Sequence, residues 1–189
     1  MEPNSIYHIY NRGNNRGLIF FKRENYLYFI KKVRKYFLPH LDILAYCLMP
    51  NHFHFLVFTK EAFDSKIFSS DLRTMLSSYT RAINKQESRT GSLFQQNTKL
   101  KPLEMGSCAT TRSGGTTDYP FVCFHYIHQN PWKAGLVSRM ENYEMCSFQD
   151  YATLRAGTLC NKNLAYDLLG IPMEADLFIK ECYAVQVVG

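Results

Sequence analysis

The stretch Met49-Pro50-Asn51-His52-Phe53-His54-Phe55-Leu56-Val57-Phe58 decides how the rest of the chain is read. Successive side chains of a β-strand point to opposite faces, so His52, His54 and Leu56 share one face and Phe53, Phe55 and Val57 pack on the other. Two imidazoles stand side by side at the start of an apolar strand, just after a Pro-Asn break. That spacing suits a divalent cation held by two neutral ring nitrogens, with open positions left for a substrate. A plainer reading stands beside it, in which both histidines are hydrogen-bonded polar positions at a strand end.

Residues 41–48 form the strand before this one, and the short Met49-Pro50-Asn51 link predicts an antiparallel hairpin. Upstream, residues 5–11 (Ser-Ile-Tyr-His-Ile-Tyr-Asn) are rich in β-formers, and residues 11–17 make a glycine-punctuated loop carrying Arg12 and Arg16. That loop is either a connector or a phosphate cradle. Residues 22–38 read as an amphipathic helix stopped by Pro39, with Tyr26, Phe29, Ile30, Val33 and Phe37 at helical spacing.

Downstream, residues 64–87 predict a second helix. Its buried stripe is Leu72, Met75, Leu76, Tyr79 and Ile83, its cap Asp64 or Ser70, and Arg73, Arg81 and Lys85 remain outside. A further strand falls within 91–103. The order β-α-β-β-α-β is the split βαβ, ferredoxin-like or RRM-like plan of an α+β protein, with helices on one face of an antiparallel sheet and the other face free.

Residues 104–117 have the small, polar composition of a flexible linker. Asp118 can cap a following helix with Pro120 in its first turn; that helix is expected to end near Pro131. On it Val122, Tyr126 and Asn130 line one side, although Tyr126 could equally be a core residue. Short helices are expected over 161–169, closed by Gly170, and over 173–183.

Composition fits a globular domain of 189 residues; 22 Lys and Arg against 16 Asp and Glu leave +6, a moderate excess that favours an anionic partner. Six cysteines (47, 108, 123, 146, 160, 182) show no C-x-x-C pair, and the N-terminus has no secretory pattern. Reduced thiols in the cytoplasm are therefore expected. No apolar run approaches bilayer-spanning length.

Four pieces in order resemble one family. They are Tyr7-His8-Ile9-Tyr10-Asn11-Arg12-Gly13 with Phe20-Phe21, then Met49-Pro50-Asn51-His52-Phe53-His54, then Gly91-Ser92-Leu93-Phe94-Gln95-Gln96, then Tyr126-Ile127-His128-Gln129-Asn130-Pro131-Trp132-Lys133-Ala134-Gly135-Leu136. Together they look like the single-tyrosine HUH transposases, nearest the REP-associated tyrosine transposase branch. The similarity spans roughly residues 5–151, which marks residues 1–151 as the transposase-like domain and 152–189 as a helical tail.

The resemblance implies cleavage and joining of single-stranded DNA, often beside an imperfect hairpin, by an enzyme associated with the nucleoid. Carried over, His52 and His54 are ligands of Mg²⁺ or Mn²⁺, Asn130 is a third, polar ligand, and Tyr126 is the nucleophile that forms a 5′-phosphotyrosine. Arg12 and Arg16, then Lys99 and Lys101, are the expected DNA contacts. A homodimer is compatible, with Tyr126 serving the cation of its own chain or of a partner. Met145-Cys146-Ser147 departs from the family, whose members often show Trp and two serines there.

Two other readings remain. A non-catalytic RRM-like module would bind single strands through aromatics exposed on its central strands, where this chain has histidines and core-type phenylalanines. A hydrolase using water needs a carboxylate near the metal, and none neighbours His52 or His54 in the local sequence.

Overall fold

The computed structural model describes residues 1–104, 108–110 and 116–185, with the backbone alone at 108–110 and 116–118. Strand β1 (Ile6–Arg12) leads through helix α1 (Arg23–Tyr36) to β2 (Leu41–Met49) and β3 (His52–Thr59). Helix α2 (Ser65–Gln86) then leads to β4 (Lys99–Leu103). The four strands form one sheet in the order β2-β3-β1-β4, every pair antiparallel, so the expected α+β, ferredoxin-like plan is the one observed.

Local chemistry sets the helix starts. Asp64 Oδ1 accepts the amides of Lys66 and Ile67 at 2.7 and 3.0 Å, so Asp64 rather than Ser70 caps α2. Asn25 Oδ1 takes the amides of Phe21 and Lys22 ahead of α1. Both helices lie on one sheet face, where Phe29, Val33, Phe37, Phe68, Met75 and Tyr79 pack on Ile9, Phe53, Phe55 and Val57.

The second face is not free. Leu44, Ala45, Cys47, Met49 and Leu56 present apolar surface there, and exposing it would cost roughly 25 cal/mol per Å². Helix α3 (Tyr119–Lys133) covers it together with α4 (Phe148–Tyr151), α5 (Lys162–Leu169) and α6 (Ala175–Ala184). The C-terminal helices thus share a core with the sheet. Gly170, at φ +64°, closes α5 as expected, and Asn161 caps its start.

Two expectations change. Within the anticipated linker, β5 (Cys108–Thr110) and β6 (Thr116–Asp118) pair as an antiparallel ribbon, consistent with the extended preference of their threonines. Residues 105–107 and 111–115 of that linker lie outside the described residues, and the side chain of Asp118, the expected cap, is likewise not described.

Helix α3 also continues through Pro131 to Lys133. A proline there forfeits one amide bond to the preceding turn. Tertiary contacts hold the last turn nonetheless. Gln129 Nε2 donates to the Cys182 and Val185 carbonyls at 2.7 Å, and the Trp132 ring meets Tyr183 edge-on.

Residues 145–147 lie along β2, with Leu48 N on Met145 O and Ser147 N on Tyr46 O at 2.9 Å each. Ser147 is wholly buried and its hydroxyl lies 2.7 Å from His128 Nε2, so this divergent segment serves the core. The five described cysteines, Cys47, Cys123, Cys146, Cys160 and Cys182, are free thiols.

The β2–β3 turn is strapped down by the chain that follows β1. Gly13 N donates to Asn51 O at 2.7 Å, and the Ile19 and Phe20 amides donate to Pro50 O at 2.8 and 3.1 Å. The strap doubles back so tightly that a Cβ on Gly13 would sit 2.0 Å from the Gly17 carbonyl oxygen. Gly13→Ala should therefore cost about 2 kcal/mol, read as a Tm lower by ~4–8 °C for a chain of this size; an unchanged Tm would refute the tight strap.

Burial lowers the pKa of His128 and His54 well below 6.5 and brings His8 and His52 to about 4. The unfolded chain then binds more protons than the folded one between those values and 6.5, so stability rises with pH across that window. Melts in EDTA should show Tm at its plateau above about pH 6.5 and falling steadily toward pH 4. A flat or inverted profile would contradict this burial.

Candidate active site

The register of the central strands assembles the site. Tyr10 lies opposite His54 and Arg12 opposite His52, while β4 sets Lys99 opposite Tyr10 and Lys101 opposite His8. Paired residues project from the same face, so three histidines, two lysines, Tyr10 and Arg12 share the side covered by α3. Tyr126 descends from α3 onto this group. Its ring centroid is 5.5 Å from His54 and 6.2 Å from His8, edge-on to both.

Beneath Tyr126 is a cavity of about 290 Å³ lined by Tyr10, Asn11, Arg12, His52, His54, Gln95, Asn97, Lys99 and Tyr126. No carboxylate lies among these lining residues, while Arg12 and Lys99 bring positive charge. A phosphodiester meets cations here and no like charge.

One hydrogen bond specifies the tautomer of His52. His52 Nδ1 is 2.6 Å from Asn51 Oδ1. An amide oxygen only accepts, so Nδ1 carries the proton and Nε2 keeps its lone pair. His54 Nδ1 is 2.9 Å from His8 Nε2, while His54 Nε2 is buried without a protein partner. A buried ring nitrogen of this kind is costly unless a ligand completes it. If His54 Nδ1–H donates to His8, then His54 Nε2 also presents a lone pair.

Burial, and for His52 the neighbouring Arg12, keeps these imidazoles neutral at pH 7, the form that binds metal. Among the described residues no three His, Cys, Asp or Glu side chains form a ready-made metal cage. The donor set is two imidazoles with oxygen donors around them, and the unpartnered His54 Nε2 fits a cation.

Tyr126 is half-buried. Desolvation raises its pKa above 10, while the Asn130 amide and the Arg12 charge oppose that rise. Asn130 sits beside the phenol, its Nδ2 donating to the Tyr126 carbonyl at 2.9 Å, and it is not among the residues lining the cavity. Lys101 donates to Tyr119 Oη at 2.6 Å just outside. Arg16 lies on the strap, exposed and away from the cavity wall, with its carbonyl accepting from Asn51 Nδ2 at 3.2 Å.

Sequence reasoning passed over His8, Asn51, Gln95 and Asn97 as site residues. His8 had a signal, since it alternates with Tyr7 and Ile9 and so must share a face with Tyr10 and Arg12. Which strand lies beside that face is a matter of tertiary pairing. The amides of Gln95 and Asn97 come from irregular chain, which carries no periodicity to read.

No protein-family model and no curated protein matches this chain. Among solved structures its fold is similar to that of a REP-associated tyrosine transposase bound to a REP hairpin. The TM-score is 0.58 at 18% identity, over 85% of this chain and 90% of that one. At that identity the likeness is one of fold, an α+β sandwich.

Proposed function

We propose that this protein cuts and rejoins single-stranded DNA with the help of a divalent cation, through a 5′-phosphotyrosine formed on Tyr126. The observation that carries this reading is the phenol of Tyr126 beside His54 in the same chain, over a cavity where a buried imidazole nitrogen lacks a protein partner. The similar solved structure is bound to a REP hairpin, which supports a single strand flanked by a hairpin as substrate.

His52 and His54 would hold Mg²⁺ or Mn²⁺ through Nε2; the family resemblance implies Asn130 as a third donor, whereas here its amide contacts Tyr126 and stands off the cavity wall. A cation bound there supplies charge neutralisation at a non-bridging phosphate oxygen. Arg12 and Lys99 hold the phosphate from the cavity wall. The Tyr126 oxygen forms a bond to phosphorus as the bond from phosphorus to the 3′-oxygen breaks. The phenolic proton ends on the departing 3′-hydroxyl, and rejoining reverses the exchange with a new 3′-hydroxyl. The covalent ester conserves the bond for that second step. Burial alone would hold Tyr126 protonated, so Arg12 and Asn130, which oppose that rise, favour its loss of a proton.

Incubation with single-stranded oligonucleotides and Mg²⁺ or Mn²⁺ should yield a protein–DNA adduct on denaturing gels. EDTA and Tyr126→Phe should each abolish it. Cleavage without an adduct would assign the attack to water, and binding without cleavage would make the chain a non-catalytic single-strand binder.

His8 is the positioning residue in this scheme, because its Nε2 accepts the His54 proton that frees the ligand nitrogen. Losing such a partner weakens metal binding about 10–100-fold. Calorimetric titration of Mn²⁺ should show that loss in His8→Phe and a smaller one in His8→Gln, whose amide oxygen can still accept. Equal affinity in all three proteins would remove His8 from the site.

A further inference from the structure

A second concavity opens beside the catalytic cavity, between α2 and residues 92–98. Its volume is about 620 Å³, and Asn11, Gln95 and Asn97 line both spaces. Its floor is apolar, made by Leu72, Leu76 and Phe94. Arg73 and Arg81 stand on its α2 wall. They are two turns apart plus one residue, about 12 Å along the helix axis. Both are exposed, neither forms an ion pair among the described residues, and no carboxylate lines the groove.

The segment between the two spaces is built as a fixed saddle. Asn11 Nδ2 donates to Gln95 O and Thr98 Oγ1 at 3.2 and 2.9 Å, and Gln95 N donates to Arg12 O at 2.9 Å. Asn97 takes a left-handed φ of +62°, which asparagine tolerates better than most residues. These bonds occupy the Gln95 backbone, and the exposed side chains of Gln95 and Asn97 line both spaces.

We propose that this groove binds the single-stranded DNA flanking the cleavage site, the strand crossing the Gln95–Asn97 saddle from one space to the other. The chemistry matches that occupant. Two unpaired guanidiniums take successive parts of a phosphate backbone, an apolar floor takes base faces, and side-chain amides meet base edges. The shared wall gives the direction, because a strand leaving the catalytic cavity over the saddle enters the groove next. This inference rests on the single-strand reading of the catalytic cavity and extends it to a binding subsite.

The test uses fluorescence anisotropy with mixed-sequence single strands of about 6 and about 16 nucleotides, within the span of roughly 4–16 over which such grooves extend. The longer strand should bind more tightly to the wild-type chain. Arg73→Ala combined with Arg81→Ala should remove most of that advantage, about tenfold at low salt, and make the salt slope shallower by about 1.4 for two lost phosphate contacts. Short-strand binding, Mn²⁺ affinity and the melting profile should stay as in wild type. Equal binding of both strands by the wild type, or an unchanged slope in the variant, would overturn the groove.

The outcome is separable from that of the catalytic proposal. An adduct on short strands with no effect of the arginines rejects the groove alone. Arginine-dependent binding of the long strand without any adduct rejects the chemistry and keeps the groove.

Discussion

The pairing register of β1 with β3 is the constraint on which the rest of the structure depends. With Tyr10 opposite His54 and Ile9 opposite Phe55, one face carries imidazoles and the other carries phenyl rings. A slip of one residue would exchange the faces of a whole strand, driving histidines into the aromatic core and phenylalanines into the cavity. The apolar side protects the register, because Phe53, Phe55 and Val57 are fully buried there. Hydrophobic packing on one side of the sheet thus fixes polar geometry on the other.

The same economy positions the tyrosine. Tyr126 is held where α3 is held: α3 packs on β2 and β3 and is tied from the C-terminal side as well. His125 Nδ1 lies 3.3 Å from Cys182 Sγ, whereas its Nε2 faces Glu181 Oε1 at 3.1 Å without hydrogen-bond geometry. Gln129 reaches the end of α6, and His128 is enclosed by Phe124, Phe148, Tyr151 and Phe178. Each satisfied buried polar contact contributes only about 1 kcal/mol net, but leaving a partner unpaired costs about 1–3. The penalty for misplacement therefore exceeds the reward for any single contact. The helices after residue 151 belong to the positioning of the site.

Electrostatics set what the cavity accepts. Desolvation keeps its histidines uncharged, while Arg12 and Lys99 line its wall. A neutral, partly dry floor with a positive edge favours an anion that brings its own apolar parts, as a nucleotide does. The second concavity repeats this pattern at larger scale around Arg73 and Arg81.

Much of this was legible in the residues alone. Alternation in Phe53 to Val57 and the helical stripes of α1 and α2 are local patterns with a fixed period, so they determined the elements and the α+β order. The His52–His54 spacing likewise placed two imidazoles on one face before any fold was known. What the residues could not determine was adjacency. His8 stands 46 positions before His54, and only strand pairing brings them within 2.9 Å. The cover over the second face, the persistence of α3 through Pro131, and the saddle of Gln95 and Asn97 also arise from contacts between distant segments. Periodicity is a property of neighbours along the chain, whereas a site is a property of neighbours in space.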